Sequence, residues 1–339
     1  MKSAILSGIL VLLCTANAYP ADNHDPAGKP VLLEVHAIWD QGKHNAFTDL
    51  IRFQDRWFCT FRESDRHVGG EDGKIRIIVS PDGAAWTSAA LIAEAGIDLR
   101  DPKLSITPDG RLMIVAGGSL YKGNTFLSRR PRVLFSKDGT QWTVPTPILN
   151  DGAWLWRVTW NKGTAYGTSY QKESNQIGPV ALFKSSDGIS YEKVCDFSLT
   201  DRPNETTLRF LPDDTLLALV RREEGDKQAM IGSSRPPYTD WTWQKAGYQV
   251  GGPNFIILPD GKIWAAGRYY PGGYTTILAR MDLDGYRPQL TLPSGGDTSY
   301  PGMVWHEGLL WMSYYSSHEG KAKIYLAKIQ LPGEPPSKP

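Results

Sequence analysis

The pattern that most limits the fold of this chain is a unit that recurs six times. Each unit holds a strand, a tight polar turn, a second strand, a loop, and a third strand that runs into a turn. Third strands are expected over 75–80, 132–136, 180–185, 229–233, 276–281 and 324–329. Their last positions lie 56, 49, 48, 48 and 48 residues apart. A strand-built period of this length is the signature of a β-propeller, with one repeat per blade. The expected fold is therefore all-β, a six-bladed β-propeller of four-stranded antiparallel blades. Unit six leaves no room for a fourth strand, while the segment 31–38 precedes unit one without a partner. That segment is expected to supply the missing outer strand, so the ring closes and no sheet edge stays open at the seam.

Two kinds of turn support the repeat. Strands one and two are joined by polar hairpins such as Pro108-Asp109-Gly110, Pro212-Asp213-Asp214 and Pro259-Asp260-Gly261. Asp, Asn and Gly tolerate the positive φ that tight hairpins need. The turn after the third strand reads Ser80-Pro81-Asp82-Gly83-Ala84-Ala85-Trp86, and it recurs as Ser136 through Trp142 and Ser185 through Tyr191. Its Ser and Asp can bond backbone N–H groups, its Gly takes the left-handed position, and its aromatic packs between blades. The role of this turn is structural.

Composition bounds the function. Thirty-seven basic and 36 acidic residues give a formal charge of +1, so no bulk field draws the chain to nucleic acid or anionic membranes. No Cys/His spacing suggests a metal and no phosphate loop suggests a nucleotide, so no cofactor is expected. Residues 1–18 carry one lysine, a short apolar run and Ala16-Asn17-Ala18, the pattern of a secretory signal peptide cut after Ala18. A secreted or periplasmic protein without a membrane span follows. The propeller is expected over 30–331, then a proline-rich tail over 332–339. Cys59 and Cys195 are read as two unpaired thiols on strands. A monomer is expected.

In an up-and-down blade the hairpins lie on one face, and the start of strand one and the end of strand two lie on the other. The opposite face collects Asp49, Arg62, Asp72, Arg100, Asp101, Glu205, Arg221, Arg268 and Tyr300, with His44, His67, Trp156 and Arg157 among their neighbours. A funnel with several arginines, carboxylates and a tyrosine suits an anionic, oxygen-rich ligand.

At these residues the chain resembles the sialidase (neuraminidase) superfamily, in which the seven-residue turn is called the Asp box. Asn204-Glu205-Thr206-Thr207 leads across a hairpin to Arg221, as a glutamate leads to an arginine in that family. Thr298-Ser299-Tyr300-Pro301 opens the last blade where the family places its nucleophile, and Arg268 stands near a further family arginine. The resemblance implies a secreted exo-glycosidase that releases a terminal sialic acid or related acidic sugar from glycans. Tyr300 would be the nucleophile and Glu205 its base, because a phenol attacks well only once a carboxylate takes its proton. Arginines would hold the sugar carboxylate in a bidentate fork.

The chain departs from that family in blade one. Phe47-Thr48-Asp49-Leu50 stands where sialidases carry Phe-Arg-Ile-Pro. Arg62 is the candidate replacement for the missing arginine. For the general acid, Asp65, Glu71 and Asp72 compete, with His67 outside the group, and Asp72 is taken. Asp49, Arg62, Arg100, Asp101, Arg221 and Arg268 form the expected substrate-binding set. A carbohydrate-binding propeller without hydrolysis and a polysaccharide lyase acting beside a uronate are the alternatives.

Overall fold

The six repeats fold as the six blades of a β-propeller. The computed structural model describes residues 28–173 and 176–333. The chain enters through β1 (Val31–Trp39) and then builds blade one from β2 (His44–Phe53), β3 (Arg56–Ser64), β4 (Lys74–Ser80) and β5 (Thr87–Ile92). Blade two is β6 (Asp98–Ile106), β7 (Leu112–Lys122), β8 (Thr125–Ser136) and β9 (Thr146–Pro147). Blade three is β10 (Ala153–Asn161), β11 (Thr164–Glu173), β12 (Gln176–Ser185) and β13 (Glu192–Asp196). Blade four follows as β14 (Pro203–Phe210), β15 (Leu216–Arg222), β16 (Met230–Ser234) and β17 (Thr242–Lys245). Blade five is β18 (Gly251–Ile257), β19 (Ile263–Tyr269), β20 (Thr275–Asp282) and β21 (Gly285–Thr291). Blade six holds β22 (Thr298–His306), β23 (Leu309–Ser316) and β24 (Lys323–Gln330), with β1 as its outer strand. The register of β1 on β24 runs antiparallel from Val31 opposite Gln330 to Trp39 opposite Ile324. The ring closes as the repeat count requires.

The longest step of the repeat, 56 residues, has a local cause. β7 and β8 run past the blade as a two-stranded ribbon that turns at Gly123, with Lys122 paired to Thr125. The two cysteines among the described residues are free; Cys59 is buried on β3 and Cys195 is half-buried on β13. No helix among the described residues is long and apolar enough to cross a membrane. The expected signal peptide lies outside the described residues, as does most of the proline-rich tail.

The turns after strands β4, β8 and β12 share one hydrogen-bond scheme. Gly83, Gly139 and Gly188 donate their N–H to Ser80, Ser136 and Ser185 at 2.8, 2.8 and 2.9 Å. Asp82, Asp138 and Asp187 accept from the N–H groups of Ala84, Thr140 and Ile189. Each glycine has φ between 74 and 80°. Each is also covered by a side chain of the preceding blade: a Cβ would lie 2.4 Å from Trp311, 2.2 Å from Phe58 and 3.0 Å from Met113 respectively. The turn therefore serves as a socket that docks one blade on the next.

A second regularity positions the site. All six innermost strands carry a one-residue bulge at the same place, at 46–49, 100–103, 155–158, 203–206, 251–254 and 299–302. A bulge bends the strand and re-aims the side chains it carries. Four residues in these bulges, Phe47, Asp101, Gly252 and Tyr300, have φ between 49 and 65°. Left-handed backbone is costly for Phe and Tyr. Such strain, at equivalent positions around one ring, marks the face where the blades present side chains to a common centre.

Candidate active site

Tyr300 sits in the bulge of β22, 7% exposed. Its carbonyl accepts a hydrogen bond from Thr48 of blade one at 2.8 Å, and its ring contacts Phe47, Trp156 and Tyr315. Its phenol donates to Glu205 Oε1 at 2.6 Å. The other carboxylate oxygen, Oε2, accepts from Arg221 Nη1 at 2.8 Å and from the Gly252 N–H at 2.8 Å. Arg221 Nη1 also reaches the Tyr300 phenol at 3.1 Å. Gly252 is confined to glycine twice over, by its φ of 58° and by the Tyr300 ring, which lies 2.6 Å from where a Cβ would be.

The electrostatics of this triangle separate the two acids. Burial alone would raise the Glu205 carboxyl, but the Arg221 charge and the bonds from Tyr300, Arg221 and Gly252 hold it below its ordinary value. Burial and the Glu205 charge push the Tyr300 phenol well above its ordinary value, against the pull of Arg221 and Arg268. At neutral pH the pair is thus a phenol donating to a carboxylate. Arg268 lies over the Tyr300 ring at 5.4 Å and donates to Tyr315 Oη at 2.9 Å and to the Thr298 carbonyl at 2.9 Å.

The other residues singled out from the sequence fall into three groups. Arg62 is wholly buried, with Nε on Asp98 at 2.7 Å and Nη1 on the Arg66 carbonyl at 2.7 Å. Arg100 meets the second oxygen of Asp98 at 3.0 Å and the His67 carbonyl at 2.9 Å. Asp49 is buried and joins Arg157 at 2.8 Å and the Leu104 N–H at 2.7 Å. These ion pairs brace blades one, two and three against each other. Asp101 is 8% exposed and its Oδ1 has no hydrogen-bond partner. Burial raises its carboxyl, against the nearby Arg100 and Lys103 charges, and Glu205 adds to the rise. Asp72 lies exposed on the loop after β3.

Several members of the cluster carry no signal of their own in the sequence. Phe47 occupies the blade-one bulge, edge-on to Tyr300 at 5.0 Å and to His67 at 5.1 Å. Lys103, buried below Tyr300, lies 5.0 Å over the Trp156 ring and donates to the Thr48 carbonyl at 3.0 Å. Burial and the Arg157 charge lower its ammonium to about 8. Asp297, in the loop before β22, accepts from His44 Nε2 at 2.9 Å and His67 Nδ1 at 2.7 Å on one oxygen, and from Tyr315 Oη at 2.8 Å on the other. Those donors overcome burial and hold its carboxyl far below the ordinary range.

His44, His67 and Asp297 are also close enough together to be weighed as a metal site. A metal-bound imidazole normally donates its second N–H to an outer partner. His44 Nδ1 is buried without one, and the Arg268 guanidinium lies 3.7 Å from Asp297. The trio fits a hydrogen-bonded carboxylate better than an ion.

Comparison with known proteins adds the architecture. A protein of unknown function from Dyadobacter fermentans has a TM-score of 0.77 at 20% identity, over 91% of this chain and 100% of its own. The sialidase of Trypanosoma rangeli, solved with the inhibitor DANA, has a TM-score of 0.68 at 11% identity over 85% of this chain. This chain spans about half of that sialidase, 55% of its length. An α-L-arabinofuranosidase from Fusarium graminearum has a TM-score of 0.68 at 12% identity, over 89% of this chain and 98% of its own. The likeness is one of fold. No family profile and no curated protein matches the sequence. Two of these neighbours, the sialidase and the arabinofuranosidase, are glycoside hydrolases built on a sialidase-like propeller.

Proposed function

We propose that this protein is a retaining exo-glycosidase that removes a terminal acidic sugar of the sialic-acid class, with Tyr300 as nucleophile and Glu205 as its base. The observation that carries the reading is the triangle of Tyr300, Glu205 and Arg221, in which the phenol oxygen lies 2.6 Å from the Glu205 carboxylate oxygen that accepts its proton. As Tyr300 Oη bonds to the anomeric carbon, its proton passes to Glu205 and the glycosidic bond breaks toward the leaving oxygen. Arg221 touches both partners, so it stabilises phenolate character as that develops. Water then attacks the same carbon and gives a proton to the general acid that protonated the leaving oxygen, and the phenol leaves with the proton returned by Glu205. Arg268 and Arg221 face the sugar carboxylate, and Asp101 offers an unpaired oxygen to a ring hydroxyl.

Hydrolysis of a panel of aryl glycosides, including an aryl sialoside and aryl uronides, tests this. Turnover by the native chain should fall by about 10³-fold or more in Tyr300→Phe and Glu205→Gln, with melting temperatures retained. Release from no acidic glycoside of the panel sinks the reading. One observation favours a second reading, a propeller that binds carbohydrate without cleaving it: blade one offers the Phe47 ring beside Tyr300 rather than a cation. Binding of an acidic sugar with no turnover would select it. A product with new ultraviolet absorbance would instead reveal a lyase.

A further inference from the structure

Resting on the glycosidase reading, we infer that His67 is the proton donor to the leaving oxygen and that Asp297 is the residue that positions it. The reaction needs an acid at the mouth of the funnel, because the departing part of the glycan must exit to solvent while Tyr300 and Glu205 lie buried below. Asp101 is on the floor, 8% exposed. Asp72 is exposed on the loop after β3, and among the described residues no hydrogen bond or ion pair joins it to the cluster. His67 meets both requirements: its side chain is 44% exposed, and it is bonded into the cluster on one side only.

The hydrogen bonds fix which nitrogen does the work. Asp297 is ionised and can only accept, so His67 Nδ1 and His44 Nε2 are both donors to it. That leaves His67 Nε2 as the nitrogen that gains and loses a proton. His44 Nδ1 is buried without a partner, so His44 serves as a prop that holds Asp297 in place. The ring of His67 is further held edge-on by Phe47 at 5.1 Å, and its backbone carbonyl by Arg100 at 2.9 Å. This is the arrangement of a carboxylate-oriented imidazole, in which the carboxylate selects the tautomer and stabilises the imidazolium. In the first step Nε2–H passes its proton to the glycosidic oxygen as the bond to the anomeric carbon breaks. In the second step the neutral Nε2 takes a proton from the attacking water. The imidazole thus ends as it began.

The test exploits leaving groups. An alkyl or glycan aglycone needs a proton to depart, whereas 4-nitrophenolate departs without one. In His67→Asn, which keeps a donor toward Asp297, kcat/KM on an alkyl or disaccharide substrate should fall about 10²- to 10⁴-fold. On the 4-nitrophenyl glycoside it should fall less than about tenfold in the first, bond-breaking step. Asp297→Asn removes the charge that favours the imidazolium. The groups around His67 are Asp297 and His44 on the ring, Asp101 and Arg100 from β6, Arg62 from β3 and Arg66 along its own loop. With these unchanged, the basic limb of the pH–rate profile should move to lower pH in Asp297→Asn and vanish in His67→Asn. Equal losses on both substrates, or no loss, overturn the proposal while leaving Tyr300 and Glu205 in place. Inactivation by a chelator that zinc reverses overturns it by making His67 a ligand. If the native chain cleaves no glycoside, the underlying reading falls and this falls with it.

Discussion

At the scale of single residues, the site depends on charges buried at a cost, and Lys103 shows how that cost can be read. Its ammonium titrates near 8 in the folded chain and near 10.4 unfolded. Below pH 8 both states are protonated and the burial cost is fully present. Between pH 8 and about 10 the unfolded chain keeps a proton that the folded chain has lost, so stability rises with pH. The difference amounts to about 3 kcal/mol. Denaturant unfolding of the native chain and Lys103→Met at pH 7, 8, 9 and 10 should show this rise in the native chain relative to the variant. A pH-independent gap between them would remove the argument. Lys103 also illustrates what the sequence hides. Glu205, Arg221, Arg268 and Tyr300 are legible because each stands at a strand start or strand end on one face of a repeat. Lys103 lies inside Asp101-Pro102-Lys103-Leu104, where a strand lysine ordinarily faces water. Tyr315 is embedded in the apolar run of β23 and reads as core. Asp297 follows two glycines in a loop, and nothing local says that two histidines from blade one will bond it.

At the scale of elements, two local devices turn strands into blades that face each other correctly. The bulge in each inner strand re-aims side chains toward the axis, and no sequence motif marks it, since the six bulges carry Phe47, Asp101, Trp156, Asn204, Gly252 and Tyr300 without common chemistry. The period was legible because its hairpins and third-strand turns need Gly, Asp and Asn at fixed offsets. The bulges were not, because a one-residue insertion leaves the apolar pattern intact on both sides. The glycine sockets make a different claim that can be measured. Gly139 has φ of 78° and a Cβ there would lie 2.2 Å from the Phe58 ring of blade one, whereas Gly110 has φ of 77° with nothing within 4 Å. Backbone strain is the same in both, so it cancels in a comparison. Gly110→Ala should cost about 1 kcal/mol from the left-handed backbone alone. Gly139→Ala should cost roughly 2 kcal/mol more, because the Phe58 ring must be displaced from a packed interface. Thermal unfolding of the two variants checks this, and equal shifts would mean that the sockets do not hold blades together.

At the scale of the whole molecule, ring closure and the site are one problem. β1 is the only strand of blade six drawn from the other end of the chain, and its last residue continues into blade one: Trp39 Nε1 donates to Glu63 at 3.1 Å, and the Arg76 guanidinium lies 5.2 Å over its ring. The same seam crosses the funnel, where His44 and His67 of blade one bond Asp297 beside blade six, and Thr48 bonds the Tyr300 carbonyl. Removing β1 would leave β24 as an open edge along Lys323–Gln330, with buried Ile324, Leu326 and Ile329 losing their cover. Open apolar edges pair with other chains. A chain beginning at Gln41 should therefore melt roughly 10 °C or more below the native protein, since a closing strand contributes several kcal/mol, and should self-associate in sedimentation. It should also lose the binding of an acidic sugar proposed above, because blades one and six no longer hold Phe47, Asp297 and Tyr300 in register. A synthetic peptide spanning Val31–Trp39, added in trans, should restore part of both properties by pairing with β24. If the truncated chain melts and sediments like the native one, the seam is held by the inter-blade packing of β2 against β22 and β23, and β1 is a cover rather than a clasp.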